Sequence, residues 1–194
     1  MTEIIEIKRK EFAVLEKLGE NSFKVERKGK LYFLRKYPNK DEFREFVEQQ
    51  HRLKITAIDI PKVYLFDKNQ MISVVDFIEG PTALEMLLAN NELDESIYKT
   101  ILSDEWYGRR EKLRIDFHPD NFRYNGKKLV YLPFKYKGFE SDYNFVMKDF
   151  KLWFVTKEFV EYAESKGYTV EKSRIENEYA LNKKMALMTV KYYI

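Results

Sequence analysis

At 194 residues the chain is long enough for one domain or for two small lobes sharing a cleft, and too short for two independent enzymes. Its 35 Lys and Arg nearly balance its 32 Asp and Glu, so the net charge is only +3 and a nucleic-acid partner is not expected from charge. The absence of cysteine excludes disulfides, a thiolate nucleophile and cysteine-ligated zinc. No apolar run approaches the ~20 residues that span a bilayer, and the start MTEIIEIKRK lacks a signal-peptide core, so a cytoplasmic protein with no membrane partner is expected.

Residues 11 to 37 alternate apolar and polar positions and read as a meander of three short strands, turning at Gly19-Glu20-Asn21 and Lys28-Gly29-Lys30. After Pro38 a helix opens at Asn39 or Asp41, either of which can cap its first turn. Phe43, Phe46, Val47, Gln50 and Leu53 recur along it at helical spacing and give it one buried face. Two more strands follow at 62 to 66 and 71 to 77, bringing the expected total to five strands and one helix.

At Gly80-Pro81 the pattern changes to helices over 82 to 90 and 94 to 110, the second capped by Asp94. Phe122-Arg123-Tyr124, Asn125-Gly126 and Lys127 to Leu132 predict a hairpin, because Asn-Gly suits a two-residue turn with positive φ. Helical stretches are expected near 156 to 166 and 174 to 190, with Leu181, Met185, Met188 and Tyr192 forming a core stripe on the last. The chain holds 15 Phe and 14 Tyr, large side chains that suit the core of an α+β fold.

Between the long helix and the hairpin lies LRIDFHPDNFRY, residues 113 to 124. The stretch IDFHPDNF resembles the catalytic loop of the aminoglycoside phosphotransferase and choline kinase-like branch of the protein-kinase-like superfamily, which reads D-x-H-P-x-N. The similarity extends over residues 11 to about 137, since the strands, the helix and DFIEG look like that family's small lobe and hinge. It implies a two-lobe fold with a five-stranded antiparallel N-lobe and one helix over 1–79, and a reduced, mostly helical C-lobe over 80–194.

By the same resemblance, Asp116 accepts the proton of an attacking hydroxyl, while Asn121, with Asp120 beside it, holds magnesium on the phosphates of ATP or GTP. His118 braces the loop. The turn carrying Gly19, Asn21 and Ser22 touches phosphate through backbone N–H groups. Arg35 takes the position of the phosphate-gripping lysine, with Lys36 pointing to the opposite face of the strand. Its helix partner is Glu48 or else Glu45, and the hinge from Phe77 to Glu79 meets the adenine.

The chain departs from the family after the hairpin. Where the family has a magnesium-binding aspartate, this sequence reads Pro133, and Lys135 adds a positive charge placed to pair with Asp116 or Asp120. Two functions therefore stand side by side. One is a phosphotransferase acting on an unknown hydroxyl acceptor; the other is a pseudokinase that binds nucleotide or a protein partner. A third reading, a nucleic-acid accessory protein using its Lys-rich and aromatic tail, is disfavoured because lysines on amphipathic helices are usually solvated.

Overall fold

Period-two burial dictates how the first part of the chain folds. The computed structural model, which describes residues 3–90, 92–133 and 138–192, has one antiparallel sheet built from β1 (Ile4–Ile7), β2 (Lys10–Gly19), β3 (Ser22–Arg27), β4 (Lys30–Lys36), β5 (Val63–Asp67) and β6 (Ile72–Asp76). The strand order is β1-β2-β3-β4-β6-β5, so the sheet has six strands and not the five expected. The extra one is the short edge strand β1, which pairs Ile5 with Phe12 and Ile7 with Lys10.

One face of the sheet carries Ile7, Phe12, Val25, Tyr32, Leu34 and Val74, all buried together. The other face of the central strands carries Ser22, Lys24, Phe33, Arg35, Ser73 and Val75, since the register sets Ser22 against Arg35, Lys24 against Phe33 and Phe33 against Val75. Across this second face lies α1 (Lys40–Leu53), which starts where Asn39 Oδ1 accepts the Glu42 N–H at 2.9 Å. Its apolar stripe places Phe43 and Phe46 against Tyr37 and Phe66.

The remainder is mostly helical: α2 (Ala83–Ala89), α3 (Glu95–Arg110), α4 (Phe145–Lys148), α5 (Lys157–Ser165) and α6 (Glu178–Tyr192), with a small sheet of β7 (Phe122–Tyr124) and β8 (Leu129–Tyr131). Thr82 and Glu85 form a reciprocal capping box on α2, and Asp94 caps α3 as expected. No helix among the described residues is long and apolar enough to cross a membrane. These helices share one core around Tyr98, Phe117, Phe122, Phe145, Trp153 and Phe159.

Two expectations shift in detail. Asn125-Gly126 opens a four-residue connection rather than a two-residue turn, because Asn125 Oδ1 accepts the N–H groups of both Lys127 and Lys128, at 3.1 and 3.0 Å, and holds them out of the ladder. The last helix begins at Glu178 instead of 174. The Arg174 guanidinium is drawn to the open carbonyls of Leu87 and Leu88 at the end of α2, both at 2.8 Å, and the Glu176 N–H donates to Val155 O. The predicted stripe on α6 does pack inward, with Leu181 and Met185 buried and Met188 and Tyr192 against the same core.

The link between the sheet and the helices is held by backbone contact. Gly80 has φ +112°, and a Cβ there would stand 2.0 Å from Tyr124 O. Arg123 Nη1 donates to Gly80 O at 2.7 Å, and the Tyr124 N–H donates to Pro81 O at 2.9 Å. The β7–β8 hairpin is thereby fastened directly beneath the end of β6.

Candidate functional site

A cleft of about 120 Å³ opens between the second sheet face, α1 and the end of the hairpin. Phe33 and Val75 come from the sheet, Phe46 and Gln50 from α1, and Leu132 and Pro133 from the residues after β8. Arg35, Phe77 and Ile78 border it as well, which brings two sequence-predicted residues, Arg35 and Phe77, to one space. Lys24, on the same sheet face, sits over the Phe77 ring at 4.7 Å.

Adjoining the same hairpin segment is a polar pocket of about 160 Å³ lined by Asp116, His118, Asp120, Asn121, Tyr131, Tyr162 and Lys166. The chain reaches it because Gly108 in α3 lets residues 113 to 115 pass close by: a Cβ at Gly108 would meet Ile115 Cγ1 at 2.9 Å. Trp153 Nε1 then donates to Phe117 O at 2.9 Å and anchors the loop in the core.

Within the pocket the Asp116 side chain is 15% exposed, and its Oδ1 stands 2.6 Å from His118 Nδ1. Its main chain is fixed from two directions, by its own N–H donating to the Tyr131 hydroxyl at 3.3 Å and by Asn121 Nδ2 donating to its carbonyl at 3.2 Å. Spending the Asn121 nitrogen there leaves the amide oxygen as the group this residue can offer a cation. The Leu132 N–H donates to Asn121 O at 2.7 Å, so the loop is bonded to the strand end that floors the cleft.

His118 is stacked on Tyr162 of α5, with ring centroids 5.0 Å apart and planes 6° from parallel. The Tyr162 hydroxyl donates to Asp120 Oδ1, and Lys166 Nζ lies 2.8 Å from Asp120 Oδ2. Burial, then the Asp120 carboxylate, pushes the Tyr162 phenol above its ordinary range, which keeps it a donor. Asp120 thus has both oxygens engaged with α5 and serves to clamp the loop.

Magnesium needs several oxygen ligands. Asn121 and Asp116 offer some, Asp120 is engaged, and Pro133 has no side-chain donor. Among the described residues no group of three or more His, Cys, Asp or Glu could hold a metal ion. The side-chain oxygens left to offer a magnesium ion on bound phosphates are those of Asn121 and Asp116.

The remaining sequence-predicted residues are scattered. Glu48 and Glu45 are exposed on α1, so neither reaches the cleft; the polar residue of α1 that lines it is Gln50. Glu79 is exposed beside Gly80. Gly19 pairs with Ser22 across the two-residue turn Glu20-Asn21, and Asn21 O accepts the Lys36 N–H at 2.9 Å, which sets this turn next to Arg35. Lys135 lies outside the described residues.

Sequence reading missed Phe33, Tyr162 and Lys166 as site residues. Gln50 carried a signal, a polar residue on an otherwise apolar helical stripe; Tyr162 and Lys166 carried none, being joined to the loop only by the fold. No protein-family model matches the chain, and no curated protein sequence matches it either.

Proposed function

We propose that the protein is a kinase-like phosphotransferase that takes ATP or GTP in the cleft, with Asp116 accepting the proton of an acceptor hydroxyl. The observation that carries this reading is the coupling of Asp116 to Asn121 in a loop whose next bonded neighbour, Leu132, floors the cleft. Phosphoryl transfer needs positioning and charge neutralisation more than covalent chemistry. A half-buried carboxylate on a main chain tethered from two sides, one strand-end away from an apolar, ring-sized cleft, supplies the first of these, and Arg35 at the cleft border contributes to the second. The sheet with its one long helix, followed by a helical part that carries the loop, is compatible with a kinase-like two-lobe arrangement.

A second reading, a pseudokinase that binds nucleotide without transferring phosphate, is favoured by Pro133 and by the engagement of Asp120. Both readings require nucleotide binding. ATP is therefore expected to raise the melting temperature by several degrees at saturating concentration, because a ligand that binds only the folded state stabilises it by mass action. The shift should be nearly the same with magnesium and with chelator. Pro133→Asp should make it magnesium-dependent by adding an oxygen ligand beside Asn121. No shift with any adenine or guanine nucleotide at millimolar concentration defeats the proposal, and release of phosphate in turnover separates the enzyme from the pseudokinase.

A further inference from the structure

Arg35 comes to the cleft on a strand and is held over an aromatic ring. It borders the cavity, is half-buried, and shares its sheet face with Phe33 two residues before it. Two residues after it, Tyr37 falls on the same face, and the Arg35 guanidinium carbon stands 5.0 Å from the centre of the Tyr37 ring. Glu45 and Glu48, the acidic residues of α1 expected to partner Arg35, are exposed.

The ring is fixed from several sides. Tyr37 is 5% exposed, its main-chain N–H donates to Met71 O at 2.9 Å, and its hydroxyl lies 3.1 Å from Ser73 Oγ. Ser73 is the residue directly opposite Arg35 in the β4–β6 register, so cation, ring and hydroxyl close a triangle across two strands. Phe43 and Phe46 of α1 pack on the ring, with centroids 5.5 and 5.3 Å away, and Phe46 also lines the cavity.

An aromatic face attracts a guanidinium through its quadrupole and carries no net charge. It fixes the direction of the cation without cancelling its field, whereas a carboxylate does both. Among the described residues lining the cavity the one carboxylate is Asp76, and it is paired with Lys30 at 2.8 Å, so its charge is already matched. The cleft therefore suits a ligand that carries an anionic group beside a flat apolar part.

We infer that Tyr37 is a positioning residue: its ring face aims the Arg35 guanidinium at the cleft, where the guanidinium binds an anionic group of the ligand. That the anionic group is a nucleotide's phosphate rests on the nucleotide reading; the ring-held cation rests on Arg35 and Tyr37.

The test measures dissociation constants of ATP, adenosine and inorganic tripolyphosphate, with magnesium chelated, for the full chain and its Tyr37→Leu, Tyr37→Phe, Arg35→Met and doubly substituted Tyr37→Leu/Arg35→Met variants. Comparing ATP with adenosine within each protein cancels any general loosening of the cleft. The wild type should prefer ATP by at least about tenfold, the scale of a charge-assisted contact. Tyr37→Leu should cut that preference by about fivefold, the scale of a partly desolvated cation–π contact, with adenosine binding unchanged within about twofold. Tyr37→Phe keeps the ring and should keep most of the preference. In the Arg35→Met background Tyr37→Leu should have no further effect, because the ring then has no cation to aim. Tyr37→Met repeats the measurement should the leucine variant fold poorly.

A wild type without preference for ATP over adenosine, a preference that survives Tyr37→Leu, or a Tyr37→Leu effect that persists undiminished without Arg35 overturns the inference. Tight ATP binding with a Tyr37-independent preference removes this inference and leaves the nucleotide reading standing. Tripolyphosphate binding that depends on both residues, with ATP bound no more tightly than tripolyphosphate and adenosine not bound, does the reverse.

Discussion

Asp116→Asn is expected to lower ATP turnover by at least ~10²-fold while leaving the folded protein as stable as the wild type, the scale of losing a positioned general base. The loop's tethers explain why the two effects separate. The bonds from Tyr131 and Asn121 engage the main chain of residue 116 and survive the substitution. An asparagine Oδ1 still accepts from His118 Nδ1, so the stacked pair of His118 and Tyr162 keeps its place. What disappears is the carboxylate proposed to take up a proton. Steady-state turnover and a thermal melt on the same preparation give the answer: unchanged turnover in a well-folded variant moves the base elsewhere, and a wild type with no turnover selects the pseudokinase reading.

The second large effect is structural. Gly80→Ala should destabilise the fold by about 3 kcal/mol, combining a strained backbone conformation with a collision between main-chain atoms. The φ of +112° disfavours any L side chain, and a Cβ would lie 2.0 Å from Tyr124 O, an atom that cannot rotate away. Relief requires the β7–β8 hairpin to part from residues 80 to 82, which breaks the Arg123 and Tyr124 bonds and loosens the cleft floor.

Gly126→Ala supplies the control. Gly126 has φ +86° but open space around a Cβ, so only the conformational part applies, roughly 1 kcal/mol. Denaturant midpoints for the two variants decide the issue, and equal losses would mean that the close approach at Gly80 is not what holds the hairpin to the sheet.

What could be read from the sequence was local in the sequence. Asp116, His118 and Asn121 fall within one short loop, with Pro119 opening its last turn and a strand following directly. The helix starts at Asn39, expected there or at Asp41, and at Asp94 were legible for the same reason, because a cap needs only the next few N–H groups. The strand β1 was missed because it is only four residues long and joins β2 through Lys8 and Arg9, both at positive φ without the Gly or Asn that usually announces such a turn.

The helix partner of Arg35 was sought among the acidic residues of α1. Glu45 and Glu48 fall on the face of the helix turned to solvent, and the polar residue of α1 at the cleft is Gln50. The clamp on Asp120 could not be foreseen: Tyr162 and Lys166 stand 42 and 46 positions further along the chain, and only the packing of α5 beside the loop joins them. A one-turn spacing of Tyr and Lys on a helix ordinarily describes a solvated face, and nothing in the sequence distinguishes this pair from that case.

The central claim, that nucleotide occupies the cleft between the sheet, α1 and the hairpin, is tested most directly by photolabelling with 8-azido-ATP in competition with ATP and mapping the adducts by mass spectrometry. The account predicts ATP-protected labelling confined to the segments that line the cleft, around Phe33, from Val75 to Ile78, and at Leu132 and Pro133. Labelling on the exposed face of α6 or along β1, or labelling that ATP does not suppress, would contradict it.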